Sequence, residues 1–527
     1  MSISKTPYFQ TAALALALAP VAAYSQPMLE EVLVTAQKRT ESLQDVPISV
    51  SAMSGEKVED DGITNLEELT LYIPNVNINQ GAAQPNLYIR GVGSGTNAGF
   101  EQSVAMYIDG VYSGRGALAA VPLTMDLARV EVLKGPQGIL FGKNTIGGAI
   151  NITTNKPTFE NEAMIDALYS DDHNEQIYTA VVNGELTEKI AGRLAVRYDG
   201  MDGWWDNRLL ETQGPNKDNW YGRASLLFDT SDRIEILAKY EYGDFQTKDK
   251  ALVVYQSDQP VNLFGDDVFP ILSDRDEAAF DLSDNGEVRT DVGAITVNWD
   301  LDFATFTSIT AYSAYDRKNQ TNADFATVAG LHRTLDEKYE QYSQELRLVS
   351  PGGETIDWIA GAYYEYAELD ISRVNTALDF AQVGPLVVPP LVNLPGTTPE
   401  PTKFDQDTDA LGIFGQATYS LTDRVRVTGG LRYNYEKKTL DKRAVNEVGA
   451  RVTPTVIVRA NPASGAIISD LRSHEWNGRD RDKDKWTWSF NTQWDATDEA
   501  MLYASVSTGF KSGGFDEAYS GAGDFIR

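Results

Sequence analysis

The feature that most constrains the fold is a two-residue alternation of apolar and polar side chains, which recurs throughout the chain after about residue 157. In residues 424–435, for example, Val425 and Leu431 lie on one face while Arg426 and Arg432 lie on the other. This period is typical of a β-strand with one apolar face. About thirteen such strands can be recognised, and tyrosine or tryptophan recurs near their ends.

The connections between these strands alternate between tight turns and long polar loops. The tight turns lie at residues 229–233, 350–353, 421–424 and 495–498. The long loops lie roughly at residues 199–219, 245–291, 316–338, 370–409 and 437–485. A transmembrane β-barrel has this asymmetry, with short turns on the periplasmic side and long loops outside. A secreted β-sandwich or β-helix, including a β-structured hydrolase or lectin, remains the alternative.

In a barrel, the polar face of each strand would line the lumen and the apolar face would contact lipid. Arg193, Arg197 and Arg432 are then expected to point into the lumen.

The composition excludes several classes of function. The 527 residues carry a formal net charge of −31, which would repel nucleic acid. The chain has no cysteine and three histidines, so disulfides and cysteine chemistry are excluded and a histidine-rich metal site is disfavoured. We therefore predict that the protein is not an enzyme, although carboxylates brought together by folding stay open as a catalytic pair.

The first 25 residues resemble an export signal. Lys5 precedes an apolar run at residues 12–19, and small residues suitable for cleavage follow. The run is too short to cross a bilayer as a helix, and no later stretch of about 18 apolar residues is present. The sequence therefore predicts export.

Residues 41–156 have a mixed pattern that predicts a separate α/β domain. Thr64 with Glu67 forms a capping box, Leu66 and Leu69 give the following helix an inner face, and Pro74 ends it. Short strands are expected at residues 87–90, 104–108 and 130–133. Large barrels enclose a wide lumen that is plugged, so this domain is a candidate plug.

The glycine-rich stretch at residues 134–154 superficially resembles a phosphate-binding loop. Only three residues separate Gly138 from Gly142, and Asn144 follows Lys143 where Ser or Thr is required. The flanks, residues 129–133 and 148–154, both read as strands. We interpret the glycines as turn residues and Lys143 as a contact within the plug or between plug and barrel.

Several phrases together resemble the TonB-dependent outer-membrane receptor family. They are EEVLVTAQKR, NLYIRGVG, VAMYIDGVYSGR and ARVEVLKGPQGILFGKNTIGGAINITTNKP near the N-terminus, and YSQELRLVS, WIAGAYYEY and YASVSTGFKSGGF in the strand region. The resemblance implies a mainly β protein of the Gram-negative outer membrane, with an α/β plug followed by an antiparallel transmembrane β-barrel. It divides the chain into a signal peptide (1–25), a TonB box segment (26–40), the plug (41–156) and the barrel (157–527).

The resemblance also implies an energy-coupling strand near the N-terminus. The candidate TonB box comprises Leu29, Glu30, Glu31, Val32, Leu33, Val34, Thr35 and Ala36. Its β-branched residues favour an extended strand, which could add to the edge of a sheet in the TonB protein of the inner-membrane complex. A disordered leader with a chance apolar triplet is the alternative.

The ligand is less constrained by the sequence. The outer plug loop at residues 93–102 supplies candidate binding residues, namely Ser94, Thr96, Asn97, Phe100, Glu101 and Gln102. Arg115 could meet an anionic ligand or pair with a barrel carboxylate, and we favour the pairing. Trp204 and Trp205 could stack on a ligand or belong to an aromatic girdle, which we favour. A ferric siderophore is the first expectation for the ligand, while carbohydrate, vitamin B12 and haem remain open.

No permanently bound cofactor is predicted, although the acidic loops suggest loosely bound Ca²⁺. Residues 281–286 begin like an EF-hand loop, but Val292 stands where the bidentate glutamate is required. Beyond TonB and the ligand, the expected partners are outer-membrane lipid and lipopolysaccharide, with no nucleic acid and a monomeric state.

The strand count departs from the family pattern. The family resemblance implies a barrel of twenty-two strands, against about thirteen here. We therefore expect this chain to be a fragment that would neither close nor transport alone. A passive porin or adhesin is the alternative, and it predicts neither a plug nor a coupling strand.

Overall fold

The computed structural model describes residues 33–80, 85–95, 97–115, 124–249, 276–322, 331–377, 401–444, 474–498 and 500–517. The predicted signal peptide and the first four residues of the candidate TonB box lie outside the described residues. Among the helices in the described ranges, none has the length and hydrophobicity needed to span a bilayer.

The N-terminal domain is built on a five-stranded mixed sheet. Its strands, in spatial order, are β3 (Val50–Ser54), β9 (Leu127–Lys134), β10 (Gly148–Thr154), β7 (Val104–Ile108) and β8 (Val111–Ser113). A three-stranded sheet of β4 (Val76–Gln80), β5 (Pro85–Ile89) and β6 (Val92–Gly93) lies beside it, and β1 (Leu33–Val34) pairs with β2 (Glu41–Ser42). The strand predictions at residues 129–133 and 148–154 are confirmed.

Two short helices, α1 (Gly55–Asp60) and α2 (Leu66–Tyr72), cover this domain. Leu66 and Leu69 are buried in its core, as their spacing predicted. The predicted capping box is displaced by one residue, because Asn65 is the N-cap and its side chain accepts from the Glu68 N–H. The sequence carries both Thr64-x-x-Glu67 and Asn65-x-x-Glu68, and burial of Leu66 selects the second.

Thirteen of the later strands form one antiparallel sheet, in which spatial order follows chain order. They are β11 (Glu162–Ser170), β12 (Glu175–Thr187), β13 (Ile190–Met201), β16 (Asn216–Ser231), β17 (Ile234–Lys248), β19 (Asn285–Asp300), β20 (Thr305–Asn322), β21 (Leu331–Val349), β22 (Ile356–Ala377), β23 (Thr402–Thr422), β24 (Val425–Ala444), β25 (His474–Thr497) and β26 (Ala500–Ser507). The strand count predicted from the sequence is thus confirmed. A 3₁₀ turn at Asp172–Asn174 joins β11 to β12.

The two faces of this sheet differ as the alternation predicted. Arg193, Arg197 and Arg432 are buried on the inner face, against the N-terminal domain. Trp486 and Leu431 are half exposed on the outer face. The N-terminal domain therefore plugs the space inside the curved sheet, because its polar edges contact the inner-face side chains described below.

The strands extend further than the sequence predicted, so several expected loops are shorter. The interval 316–338, predicted as a loop, contains paired strand at residues 316–322 and 331–338. Both faces of these strand ends carry mostly polar residues, so the apolar alternation fades although the strand pairing continues. Periodicity alone could not detect these extensions.

The first two long connections contain a small outer sheet of their own. It consists of β14 (Trp205–Asn207), β15 (Thr212–Gly214) and β18 (Glu277–Ala278). Trp205 is 1% exposed and packs edge-on against Phe280, with ring centroids 5.8 Å apart. The girdle interpretation is therefore wrong for Trp205, which forms the core of this outer sheet.

Gly148 provides a test of the plug packing. Its φ is +146°, and a Cβ there would collide with the Leu133 carbonyl oxygen of β9. We predict that Gly148→Ala destabilises the plug sheet by about 2 kcal/mol or more. Gly95→Ala is the matched control, because Gly95 has open space around it and no left-handed φ. Hydrogen exchange of the β9 and β10 amides measures the effect, and equal protection in both variants would contradict the packing.

Candidate functional site

The first described residues of the chain, 33–36, are bound to the plug domain. Leu33 and Val34 pair with Ser42 and Glu41, and Val34 is fully buried. The Thr35 N–H donates to Glu131 Oε1 at 2.5 Å, and the Thr35 hydroxyl donates to the same carboxylate at 3.1 Å. The second half of the candidate TonB box is therefore docked rather than free.

Glu131 is the buried anchor of this docking. Its carboxylate is 0% exposed and also accepts from Arg129 Nε at 2.8 Å and Asn151 Nδ2 at 2.9 Å. A buried carboxylate needs such partners, so Thr35 completes a site that the plug sheet has already formed.

The two basic residues that follow attach the tail to the barrel. Lys38 has its Nζ 4.7 Å from the centre of the Phe141 ring and 3.9 Å from Glu345 of β21. Burial lowers the pKa of Lys38, and Glu345 partly offsets that effect. Arg39 Nη2 donates to Ser350 Oγ at 2.7 Å and to the Trp358 carbonyl at 2.8 Å.

Arg39 also lies 3.5 Å from Asp357, so three groups at the turn between β21 and β22 hold its guanidinium. We call residues 33–39 the docked tail. Sequence analysis missed Lys38, Arg39 and Glu131 as parts of this site. The basic pair Lys38-Arg39, one residue after the candidate TonB box, was a sequence signal that could have found the first two.

A cluster of buried charges joins the plug to the barrel wall. Lys143 Nζ lies 2.8 Å from Glu365 of β22, 3.2 Å from Glu436 of β24 and 3.2 Å from Glu101 of the plug. Lys438 of β24 lies 3.4 Å from Glu101 and 3.7 Å from Glu436. We call these five residues the central ion cluster. The interpretation of Lys143 as a plug–barrel contact is thereby confirmed.

Hydrogen bonds satisfy the remaining carboxylate oxygens of the central ion cluster. Tyr112 and Asn144 of the plug both donate to Glu101 Oε2, and Tyr363 donates to Glu365 Oε2 at 2.8 Å. Burying a charge is costly unless the charge is paired and hydrogen-bonded in this way. Because the pairs form only in one arrangement, the cluster fixes the position of the plug.

The protonation states follow from these contacts. Burial alone would raise the pKa of Glu101, but Lys143, Lys438 and Arg115 outweigh burial and hold that pKa well below its ordinary value of 4.5. Burial would lower the pKa of Lys143, but Glu101, Glu365 and Glu436 outweigh it and raise that pKa. Both groups are therefore charged at neutral pH.

Three further ion pairs attach the plug to the inner face of the sheet. Arg193 binds Asp126 through two nitrogens, the shorter contact being 2.6 Å. Lys239 lies 2.6 Å from Asp109. The pairing favoured for Arg115 is present, with its Nη2 3.5 Å from Glu337 Oε1 of β21.

The outer plug loop is covered by an inward segment, residues 508–517, that follows β26. Lys511 Nζ donates to Ser94 Oγ at 2.7 Å and to Ser103 Oγ at 2.8 Å. Asn97 Nδ2 donates to Asp516, and Phe515 is buried above the loop. The inward segment thus seals the loop that was expected to meet the ligand.

The predicted ligand-binding residues are consequently placed among protein contacts. Ser94, Glu101, Gln102 and Arg115 are buried, and Asn97 and Phe100 are partly buried. Thr96 lies outside the described residues. Their contact with a ligand stays a prediction, and in this conformation they hold the plug, barrel and inward segment together.

The described residues contain no group of three or more His, Cys, Asp or Glu side chains that could hold a metal ion. The Ca²⁺ suggested by the acidic loops stays a prediction. In residues 281–286, Asp281 instead contacts His332 Nε2 at 3.1 Å and accepts from Asn322 Nδ2 at 2.8 Å. The buried charges of this region thus join the plug, the thirteen-stranded sheet and the inward segment of one chain.

Both parts of the chain match known sequence families. Residues 236–526 match the family described as "TonB dependent receptor-like, beta-barrel". Residues 42–149 match the "TonB-dependent Receptor Plug Domain".

Similar proteins include a pesticin receptor of Yersinia pestis, 23% identical over 418 residues, covering 77% of this chain and 56% of that protein. A ferrioxamine B receptor of Salmonella typhimurium is 29% identical over 206 residues, covering 38% of this chain and 28% of that protein. A vitamin B12 transporter of Photobacterium profundum is 27% identical over 204 residues, covering 36% and 32%. The chain spans at most about half the length of these curated relatives.

Solved structures show the same fold. The ferric yersiniabactin uptake receptor of Yersinia pestis superposes with a TM-score of 0.72 at 18% identity, covering 91% of this chain and 67% of that one. A siderophore receptor of Acinetobacter baumannii superposes with a TM-score of 0.67 at 18% identity, with the same coverage.

The central ion cluster generates the first prediction from this site. Lys143→Met leaves three buried carboxylates with one lysine, so we expect the plug–barrel association to weaken by about 3–5 kcal/mol. Faster protease cleavage of the plug in the purified variant would indicate this weaker association. Lys134→Met is the control, because the Lys134 ammonium donates to Ser51 Oγ and forms no ion pair with a described residue. Equal cleavage of the two variants would contradict the role of the cluster.

The same cluster predicts a pH dependence. A carboxylate with a depressed folded-state pKa contributes stability that is present above its unfolded pKa and lost as pH falls through the folded pKa. Protease resistance of the plug should therefore persist at pH 4.5, the ordinary pKa of Glu101, and fall only at more acidic pH. Loss of resistance between pH 7 and 5 would contradict this assignment.

Arg39 generates a prediction for the docked tail. Arg39→Gln removes the ion pair with Asp357 and weakens two hydrogen bonds, so we expect the undocked fraction to rise about tenfold or more. Because the chain has no cysteine, a spin label on Leu33→Cys would be unique and would report tail mobility. Arg90→Gln is the control, since exposed Arg90 bonds Ser49 within the plug. Unchanged spectra in Arg39→Gln would refute the anchoring.

Proposed function

The chain belongs to the TonB-dependent receptor family, a family of outer-membrane receptors rather than enzymes, and from this premise we propose that, within a complete receptor, it serves active import of a scarce extracellular ligand. The ligand would be captured on the outer side and released into the periplasm. The energy would come from the TonB protein of the inner membrane, pulling on the N-terminal strand.

The docked tail is the observation that carries this proposal. Val34 and Thr35 belong to the candidate TonB box, and the chain runs from them through Arg39 to β3 at Val50. β3 is an edge strand of the plug sheet, paired only with β9. A pull on the tail would therefore act directly on the domain that closes the lumen. Edge strands can be peeled away one hydrogen-bonded pair at a time.

The presence of the plug disfavours the alternative of a passive porin or adhesin. A passive pore needs an open lumen, whereas here Asp126, Asp109 and Lys143 of the plug are ion-paired to the inner face of the sheet. Passage requires these contacts to change, and such a change needs a source of energy.

A ferric siderophore is the proposed ligand. The relatives and structures above include receptors named for pesticin, ferrioxamine B and ferric yersiniabactin, and the last of these names states an iron complex. Vitamin B12 is the second candidate, because a relative of similar identity is named as its transporter. Carbohydrate and haem are the remaining candidate ligands from the sequence analysis, and no similar protein cited above is named for either.

The coupling strand can be tested in bacteria that depend on this receptor for iron. Leu33→Pro removes the N–H of a strand residue that a partner sheet would use, while Leu33→Ala retains it. We expect both variants to bind a ferric siderophore at the cell surface, and only Leu33→Pro to lose uptake of its radioactive iron. Full uptake by Leu33→Pro would refute energy coupling through this strand. Binding of labelled vitamin B12 instead of the ferric siderophore would refute the proposed ligand while leaving the coupling intact.

A further inference from the structure

The outer face of the thirteen-stranded sheet carries an apolar hollow that extends from β16 to β21. Its volume is about 500 Å³. The floor consists of small residues that point outward on four neighbouring strands, namely Ala224, Ala238, Gly293 and Thr310. A Cβ placed on Gly293 would meet no atom within 4 Å, so no described residue lies over this part of the floor.

The hollow follows from the order of small and large residues in the strand register. Tyr240 pairs with Ala224 on one side and with Gly293 on the other. In the next outward-facing row the sizes are reversed, because Ala238 is small and its partner Ile295 is large. The small residues therefore alternate between the two rows and form a continuous floor, with large side chains on both sides.

The hollow is formed by paired strands rather than by loops or sheet edges. Ala224 and Gly293 are among its lining residues nearest the long connections, and β16 and β19 begin eight residues earlier, at Asn216 and Asn285. Eight strand residues span roughly 26 Å. None of the lining residues belongs to β11 or β26, the two edge strands of the sheet. The shape of the hollow therefore depends on neither the loops nor the edges.

Tyrosines mark the outer boundary of the hollow. Tyr240, Tyr312 and Tyr342 lie in the row nearer the long connections, and the ring centroids of Tyr312 and Tyr342 are 4.9 Å apart. The Tyr240 hydroxyl donates to Asp291, one row further toward the outer side, at 2.5 Å. Tyrosine is typical of the membrane–water boundary, because its ring is apolar and its hydroxyl is hydrated. The hollow therefore begins just below this boundary, in the outer half of the bilayer.

The surface around the hollow faces lipid in an outer-membrane receptor. Leaving water gives no advantage to apolar groups that are already in lipid, so association there depends on close packing. A flexible acyl chain can follow the small residues of the floor and contact the tyrosine rings beside them, which gains dispersion contacts along its length. A partner protein would need a ridge of matching shape. The position of the hollow thus favours a lipid chain as its occupant.

The charges above the hollow distinguish between lipid headgroups. Asp291 and Glu340 point outward in the row directly above the tyrosines. The basic residues of the following row, Arg289 and Lys338, are each paired with other carboxylates. This rim repels the phosphates of a strongly anionic lipid such as lipid A and attracts a protonated amine.

We propose that the hollow holds one acyl chain of a phospholipid whose headgroup carries a protonated amine, with Asp291 and Glu340 facing that amine. The inference goes beyond the import proposal, because lipid binding on the outer face requires neither TonB nor movement of the plug. Its consequence is that one lipid molecule forms a fixed part of the barrel wall.

Native mass spectrometry of protein purified from outer membranes in mild detergent tests the hollow. We expect one phosphatidylethanolamine to stay bound to each protein. Gly293→Leu fills the hollow from its floor and should reduce the retained lipid about tenfold or more. Gly429→Leu is the matched control, because Gly429 also faces outward, has no atom within 4 Å of an added Cβ and lies outside the lining.

Two lipids with identical acyl chains test the headgroup. Delipidated protein receives equal amounts of dipalmitoyl phosphatidylethanolamine and dipalmitoyl phosphatidylglycerol, and the bound masses are compared. We expect the amine-bearing lipid to be preferred about tenfold, because the acidic rim repels the anionic one. The double variant Asp291→Asn with Glu340→Gln should bind the two lipids about equally, since it removes both negative charges.

The outcomes that would overturn the proposal are separate for each of its parts. Absence of retained lipid in the unaltered protein, or equal retention by Gly293→Leu and Gly429→Leu, would overturn the site. Retention of phosphatidylglycerol or lipid A in place of phosphatidylethanolamine would overturn the headgroup. A second protein copy or another protein that only Gly293→Leu releases would overturn lipid as the occupant. None of these outcomes bears on ligand uptake, so failure here is distinct from failure of the import proposal.

Discussion

The structure depends on one constraint, namely that charged side chains facing the inside of the sheet must find partners away from bulk water. Arg193, Lys239, Glu365 and Glu436 all point inward from the barrel strands, where burial would be costly for each of them alone. The plug supplies the opposite charges, with Lys143 bridging two strands and Asp126 and Asp109 binding others. The plug is thus held by the same residues that make the inner face polar. Its position is specified by charge as well as by shape.

On the import proposal, the plug must be both firmly held and removable, and this arrangement allows both. A buried ion pair contributes little net stability over an apolar contact, but breaking it without a replacement partner is costly. Water that enters as the plug moves can become that replacement. The docked tail has fewer charged contacts: Thr35 bonds the buried Glu131, and Lys38 and Arg39 each make one ion pair, whereas Lys143 alone makes three. The number of ion pairs therefore increases from the tail to the central ion cluster.

Much of the fold could be predicted from the sequence, because the two-residue alternation and the plug phrases are local signals. The inward placement of Arg432 and the plug–barrel role of Lys143 were predicted correctly for this reason. The strand extensions at residues 316–322 and 331–338 were not predictable, since both faces there are mostly polar. The sheet partners of Lys143, Glu365 and Glu436, lie 222 and 293 residues away in sequence, and only the folded chain brings them together. The cap was misassigned because the sequence offers two overlapping capping patterns, and tertiary packing selects the one that begins at Asn65. Trp205 was misassigned because its burial depends on tertiary packing.

The account holds that the docked tail is released more easily than the plug sheet. The most direct test is to pull single molecules from the N-terminus in a lipid bilayer. The account predicts that residues 33–49 detach first, with a gain in contour length of about 60 Å, while the plug sheet remains held by the central ion cluster. A second, larger extension should follow only at higher force. Extraction of the whole plug in one step, with no early release of the tail, would contradict the account.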